Sequence, residues 1–142
     1  MKNYQELAVC TRLIEDKTAE IIKKVNEYIN LKPVREGLNF RRDGKRQFND
    51  IVEAAASASC VDELVLYISY KKAKEGSRSM WSSLADPLVK VFSDLNEMAK
   101  SIYAEAVAKQ KDIRQEEIHL ELCKKFAGYL MWKANTLIAD AR

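Results

Sequence analysis

Residues 87–107 read Pro87-Leu88-Val89-Lys90-Val91-Phe92-Ser93-Asp94-Leu95-Asn96-Glu97-Met98-Ala99-Lys100-Ser101-Ile102-Tyr103-Ala104-Glu105-Ala106-Val107. Leu88, Val91, Phe92, Leu95, Met98, Ile102, Ala106 and Val107 recur at spacings of three and four, which is one face of a 3.6-residue helix. Asp86 and Pro87 read as its N-cap and first position, so the spacing predicts a helix over about 87–110. After it, Asp112 with Gln115 opens a further helix over 113–140, striped by Ile118, Leu122, Phe126, Tyr129, Leu130, Leu137 and Ile138, with Gly128 expected at a close helix contact. Residues 86–142 are charge-neutral, holding nine basic and nine acidic groups.

Working back towards the N-terminus gives the same kind of element. Ser77–Ala85 is a short helix or turn carrying Met80, Trp81 and Leu84. A helix over about 60–75 buries Val61, Leu64, Val65 and Ile68, with Ser59 and Asp62 placed to cap it and Gly76 to stop it in the left-handed region. Another begins near Lys45 and buries Phe48, Ile51, Val52, Ala55, Ala56 and Ala58. Its alanine-rich side lets a neighbour approach closely. The first, about 4–31, is capped by Asn3 and Glu6, striped from Leu7 to Ile29, and ended by Pro33. Between it and the next lies a basic link over 32–45, where Gly37 and Gly44 allow turns and Leu38 and Phe40 tether. The expected fold is all-α, a single domain over 1–142 built as a bundle of about five helices with a long basic connection after the first.

Composition agrees. At 142 residues the chain is long enough for one core without staples, and 47% apolar with 32% charged is ordinary for a globular protein. Only four glycines and two prolines argue against a turn-rich β fold. No apolar run reaches membrane-spanning length, and the N-terminus lacks an apolar signal core, so the expectation is a cytoplasmic chain with no membrane contact. Cys10, Cys60 and Cys123 fit neither a disulfide framework nor a zinc site. They read as small core residues.

The charge is local. The window Lys32–Arg46 holds Lys32, Arg35, Arg41, Arg42, Lys45 and Arg46 against Glu36 and Asp43, a net of +4 where the whole chain has +3. A second window, Lys71–Arg78, sets Lys71, Lys72, Lys74 and Arg78 against Glu75. Unpaired cations do not bury, so these windows face either solvent or an anion. For the second window the C-terminal helix dipole is a competing, structural reason for lysines. Tyr67, Tyr70 and Phe40 interleave with the cations as in single-strand binders, although aromatics at helical spacing also read as core.

Catalytic chemistry finds no constellation. The glycines never form a phosphate loop. His119 is the single histidine, which excludes a paired Glu-x-x-His di-metal site. It could touch Cys123 at i, i+4, but a surface histidine beside a core cysteine is the plainer reading. No cofactor, metal or catalytic residue is expected.

Four segments carry a resemblance. They are Lys45-Arg46-Gln47-Phe48-Asn49-Asp50-Ile51-Val52, Glu63-Leu64-Val65-Leu66-Tyr67-Ile68-Ser69-Tyr70-Lys71-Lys72-Ala73-Lys74, Leu84-Ala85-Asp86-Pro87-Leu88-Val89 and Leu122-Cys123-Lys124-Lys125-Phe126. In this order they resemble the small subunit of the type III-A CRISPR effector, the Csm complex, over about residues 40–135. The chain differs from the family's pattern at Gly44, Asn49 and Ala127-Gly128. The resemblance implies a non-catalytic helical bundle that stacks along the guide RNA–target RNA duplex, with other subunits of the effector as partners. It places RNA-backbone contacts at Lys45, Arg46, Lys71, Lys72 and Lys74. Charge alone adds Arg41, Arg42 and Arg78, and Lys124 and Lys125 are further candidates. The alternative is a helical adaptor whose basic link binds an acidic protein. Self-association of the isolated chain is expected, by exchange of the 4–31 helix between two copies across the hinges at 32–45 or Ser57–Cys60, against the alternative of a closed monomer.

Overall fold

The computed structural model describes residues 4–38, 43–77, 79–109 and 113–140. Seven helices and no strand occur among the described residues: α1 Tyr4–Glu15, α2 Thr18–Ile29, α3 Lys32–Leu38, α4 Asp43–Ser57, α5 Val61–Glu75, α6 Trp81–Ala106 and α7 Gln115–Asp140. The chain is an all-α bundle, with two more helices than the sequence spacing counts.

The first extra helix comes from a break at Asp16–Lys17. Between the buried Ile14 and Ile21 no core side chain falls, so packing does not hold the intervening turn in register. Lys17 takes φ −96° and ψ 4°, and the Thr18 hydroxyl donates to the Glu15 carbonyl at 2.7 Å. The second is α3, inside the expected link. Pro33 sits in its first turn, where a missing N–H costs nothing, and Val34 and Leu38 are buried. Leu38 tethers the link as expected, while Phe40 lies outside the described residues. Gly37 does not turn the chain. It lies within α3 against α6, where an added Cβ would meet Ser83 Cβ at 2.5 Å.

Two further expectations are corrected. Asp86-Pro87 does not start a helix, because α6 runs unbroken from Trp81 and carries Pro87 inside it. Pro87 leaves the Ser83 carbonyl without its i+4 donor. In the same turn the Leu84 carbonyl accepts the buried Tyr28 hydroxyl at 2.9 Å. The start of α5 is secured by Glu63, whose carboxylate accepts the Ser59 N–H at 2.8 Å, rather than by the Ser59 hydroxyl. Gly76 has the positive φ of 83° expected of it, but with ψ 178° it leaves the helix extended rather than left-handed.

α7 is the organising element. It packs on α4, α6 and α2 and touches α1 and α5 as well. Its buried residues accordingly exceed one stripe, adding Leu120, Cys123, Ala127 and Ala134 to Ile118, Leu122, Phe126 and Leu130. Gly128 has open space where a Cβ would be, so no helix approaches it closely. The alanine side of α4 does admit α7, with Ala55 and Ala58 buried, but Ala56, expected on that side, is exposed. Phe126 lies edge-on to both Tyr28 (6.0 Å, 77°) and Phe92 (5.8 Å, 81°), joining α2, α6 and α7 through one ring. Such pairs contribute about 0.5–1.5 kcal/mol each beyond their area.

Candidate nucleic-acid interface

Trp81, the first residue of α6, links Gln47, the residue after the first basic window, to Lys71 of the second. It is fully buried. A buried indole needs an acceptor for its N–H, and Nε1 donates to Gln47 Oε1 at 2.6 Å, fixing the first turns of α4. On the α5 side, Tyr67 meets the indole edge-on at 6.5 Å and Lys71 Nζ lies 5.9 Å from its centroid. The start of α4, the end of α5 and the start of α6 therefore share one end of the bundle. Spacing along the chain does not reveal this cluster. The available signal was a tryptophan in a serine-rich run, which needs a polar partner if it is core.

The candidate cations at this end differ in their surroundings. Arg46 is exposed in the first turn of α4. There it opposes the helix dipole, which favours anions at an N-terminus by about 0.3–1 kcal/mol, so helix stability supplies no reason for it. Lys71 is half-buried, with Nζ 3.6 Å from Glu75 as well as beside Trp81. Lys72 makes a two-pronged contact with Asp86, at 3.0 and 2.9 Å. That explains the aspartate of the Asp86-Pro87 junction as an ion-pair partner. Lys74 is exposed and stands 5.8 Å from the centroid of Tyr70. Arg41, Arg42 and Arg78 lie outside the described residues, and of Lys45 only its backbone place in α4 is described.

An acidic cleft of about 270 Å³ between α4 and α5 bounds this end, lined by Asp50, Glu53, Glu63 and Tyr67 among others. Desolvation first, and the Asp50 and Glu53 carboxylates next, push the Tyr67 hydroxyl up from its ordinary value. Carboxylates therefore line the α4–α5 side next to this end. Lys124 pairs with Glu121 at 3.2 Å, and Lys125 lines a separate cleft between α1 and α7.

His119 and Cys123 do not form a nucleophile pair. His119 Nε2 lies 2.6 Å from the Phe92 carbonyl, and Cys123 Sγ donates weakly to that same oxygen at 3.9 Å. Burial pushes the thiol up to about 12, the opposite of activation. Cys60 is exposed, contrary to its expected place in the core, and Cys10 is half-buried. Among the described residues no group of three or more His, Cys, Asp and Glu could hold a metal ion, and no helix is long and apolar enough to cross a membrane. Compared with family models, curated proteins and solved structures, the chain matches none.

Proposed function

We propose that this chain is a non-catalytic RNA-binding small subunit of a type III-A CRISPR interference complex, holding the guide RNA–target RNA backbone with the end of the bundle organised by Trp81. The observation that carries the reading is that Gln47, the residue after the exposed Arg46, and Lys71, one turn before the exposed Lys74, meet at one buried indole. Arg46 stands where the α4 dipole is positive, which adds to the attraction for phosphate. Lys71 and Lys72 contribute field while bound to their own partners. Arg41, Arg42, Lys45 and Arg78 belong to the same reading by their place in the sequence. The motif order resembling the Csm small subunit selects RNA over other anions. Other effector subunits and a second copy of the chain complete the proposed partners.

Titration of the chain with RNA at several salt concentrations tests this. Log affinity should fall linearly with log salt, by roughly 0.7 for each phosphate neutralised on a single strand. Replacing Arg41, Arg42, Lys45 and Arg46 with alanine should weaken binding and leave the melting temperature nearly unchanged, because exposed charges contribute about 0–1 kcal/mol to folding. Salt-independent binding, or none even within an assembled complex, refutes the proposal. Capture of an acidic protein without nucleic acid would favour the adaptor.

A further inference from the structure

The tyrosines flanking the second basic window have separate fates. Tyr67 is half-buried against Trp81. Tyr70 turns outward on α5, 55% exposed, with Leu66 one turn before it at 69%. Lys74, one turn after, places its ammonium 5.8 Å from the Tyr70 ring centroid. Leu66, Tyr70 and Lys74 therefore form a single ridge at i, i+4 and i+8, apolar at one end and cationic at the other. Neither Leu66 nor Tyr70 belongs to the core or to the residues packed against it.

This ridge rests at the end of the bundle already proposed to hold RNA backbone, and its chemistry is more specific than charge. With the Lys74 ammonium over one face of the ring, the opposite face and the cation together match what a nucleotide presents, a base and a phosphate. A protein helix laid on the same ridge would strip water from Lys74 without supplying an anion by its apolar face. Bases inside a duplex keep their faces stacked and cannot use the ring, whereas unpaired ones can. We propose that Tyr70, supported by Leu66 and Lys74, is a stacking platform for an unpaired base, so that the RNA held at this end includes a single-stranded segment. This rests on the RNA-binding reading above.

The test uses the full chain with fluorescent oligoadenylate and with a blunt RNA duplex of equal length. Tyr70→Ala should weaken oligoadenylate binding by about five- to a hundredfold and leave duplex binding unchanged, while Tyr70→Trp should keep both. Irradiation of the unaltered chain with bromouridine-substituted single strand should cross-link Tyr70, a readout that no substitution can disturb. Equal loss on both RNAs, or no loss on either together with no cross-link at Tyr70, overturns stacking while backbone binding stands. Absence of binding by the unaltered chain to either RNA overturns both readings. A Tyr70→Ala variant that loses only self-association makes the ridge a protein contact and likewise overturns the platform.

Discussion

Two glycines inside helices give opposite predictions for one substitution. Gly37→Ala and Gly128→Ala each gain helix propensity, about 1 kcal/mol at a mid-helix site and less near a helix end. At Gly128 the new methyl meets nothing within 4 Å, so α7 should keep the whole gain. At Gly37 it would sit 2.5 Å from Ser83 Cβ and 3.0 Å from Ser83 Oγ. A Cβ cannot rotate away, so α3 must lift from α6, and overpacking of this kind costs about 1–3 kcal/mol. The difference between the variants is then about 1–3 kcal/mol, with Gly37→Ala the less stable. A chain of this size shifts by roughly 3–4 °C per kcal/mol, so thermal melts by circular dichroism should separate the two by roughly 3–12 °C. Ser83→Ala should not rescue Gly37→Ala, since it retains the Cβ. A Gly37→Ala variant melting at or above Gly128→Ala would refute the close approach of α3 to α6.

Burial of the Cys123 thiol and the Tyr28 hydroxyl raises both groups above their ordinary values of 9.0 and 10.0. Their stabilisation is therefore complete well below pH 9 and is lost as pH climbs from the ordinary towards the raised values, by up to about 1.4 kcal/mol per pH unit for each. Denaturant titration between neutral pH and pH 11 should show this decline, and Tyr28→Phe should flatten it while costing about 1 kcal/mol at neutral pH through the lost bond to Leu84. Maleimide at neutral pH should label Cys60 well before Cys123 in the native chain, with the two converging in denaturant. Asp86→Asn should free Lys72, raising RNA affinity and steepening its salt dependence; a fall in affinity would mean that Lys72 needs its aspartate for positioning. Light scattering over a concentration series tests self-association, and a mass fixed at 16.3 kDa would refute it.

The stripe of α6 was legible in its spacing, since Leu88, Phe92, Leu95, Met98, Ile102 and Ala106 are all buried, although Val107 just past its end is exposed. Reading weakened where burial spreads beyond a single stripe. α7 touches five other helices, so Leu120, Cys123 and Ala127 are buried off its main stripe. Proline misled twice, because its rules are local. Pro33 ends one helix only by opening another, and Pro87 is tolerated inside α6, where Tyr28 and Leu84 meet across the same turn. The candidate interface was legible as charge but not as geometry. Nothing in the spacing of Gln47, Lys71 and Trp81 says that they meet, since that contact depends on how α4, α5 and α6 pack.

The two tryptophans differ as light emitters. Trp81 is wholly enclosed, whereas Trp132 on α7 is 66% exposed beside Tyr129. Iodide should quench Trp132 and spare Trp81, and Trp132→Phe should leave one blue-shifted emitter in the whole chain. That emitter lies 5.9 Å from the Lys71 ammonium and is hydrogen-bonded to the residue after Arg46. Any ligand that pulls on either cation alters the field across the indole, so occupancy of this end can be followed by intrinsic fluorescence, with no dye attached to the protein.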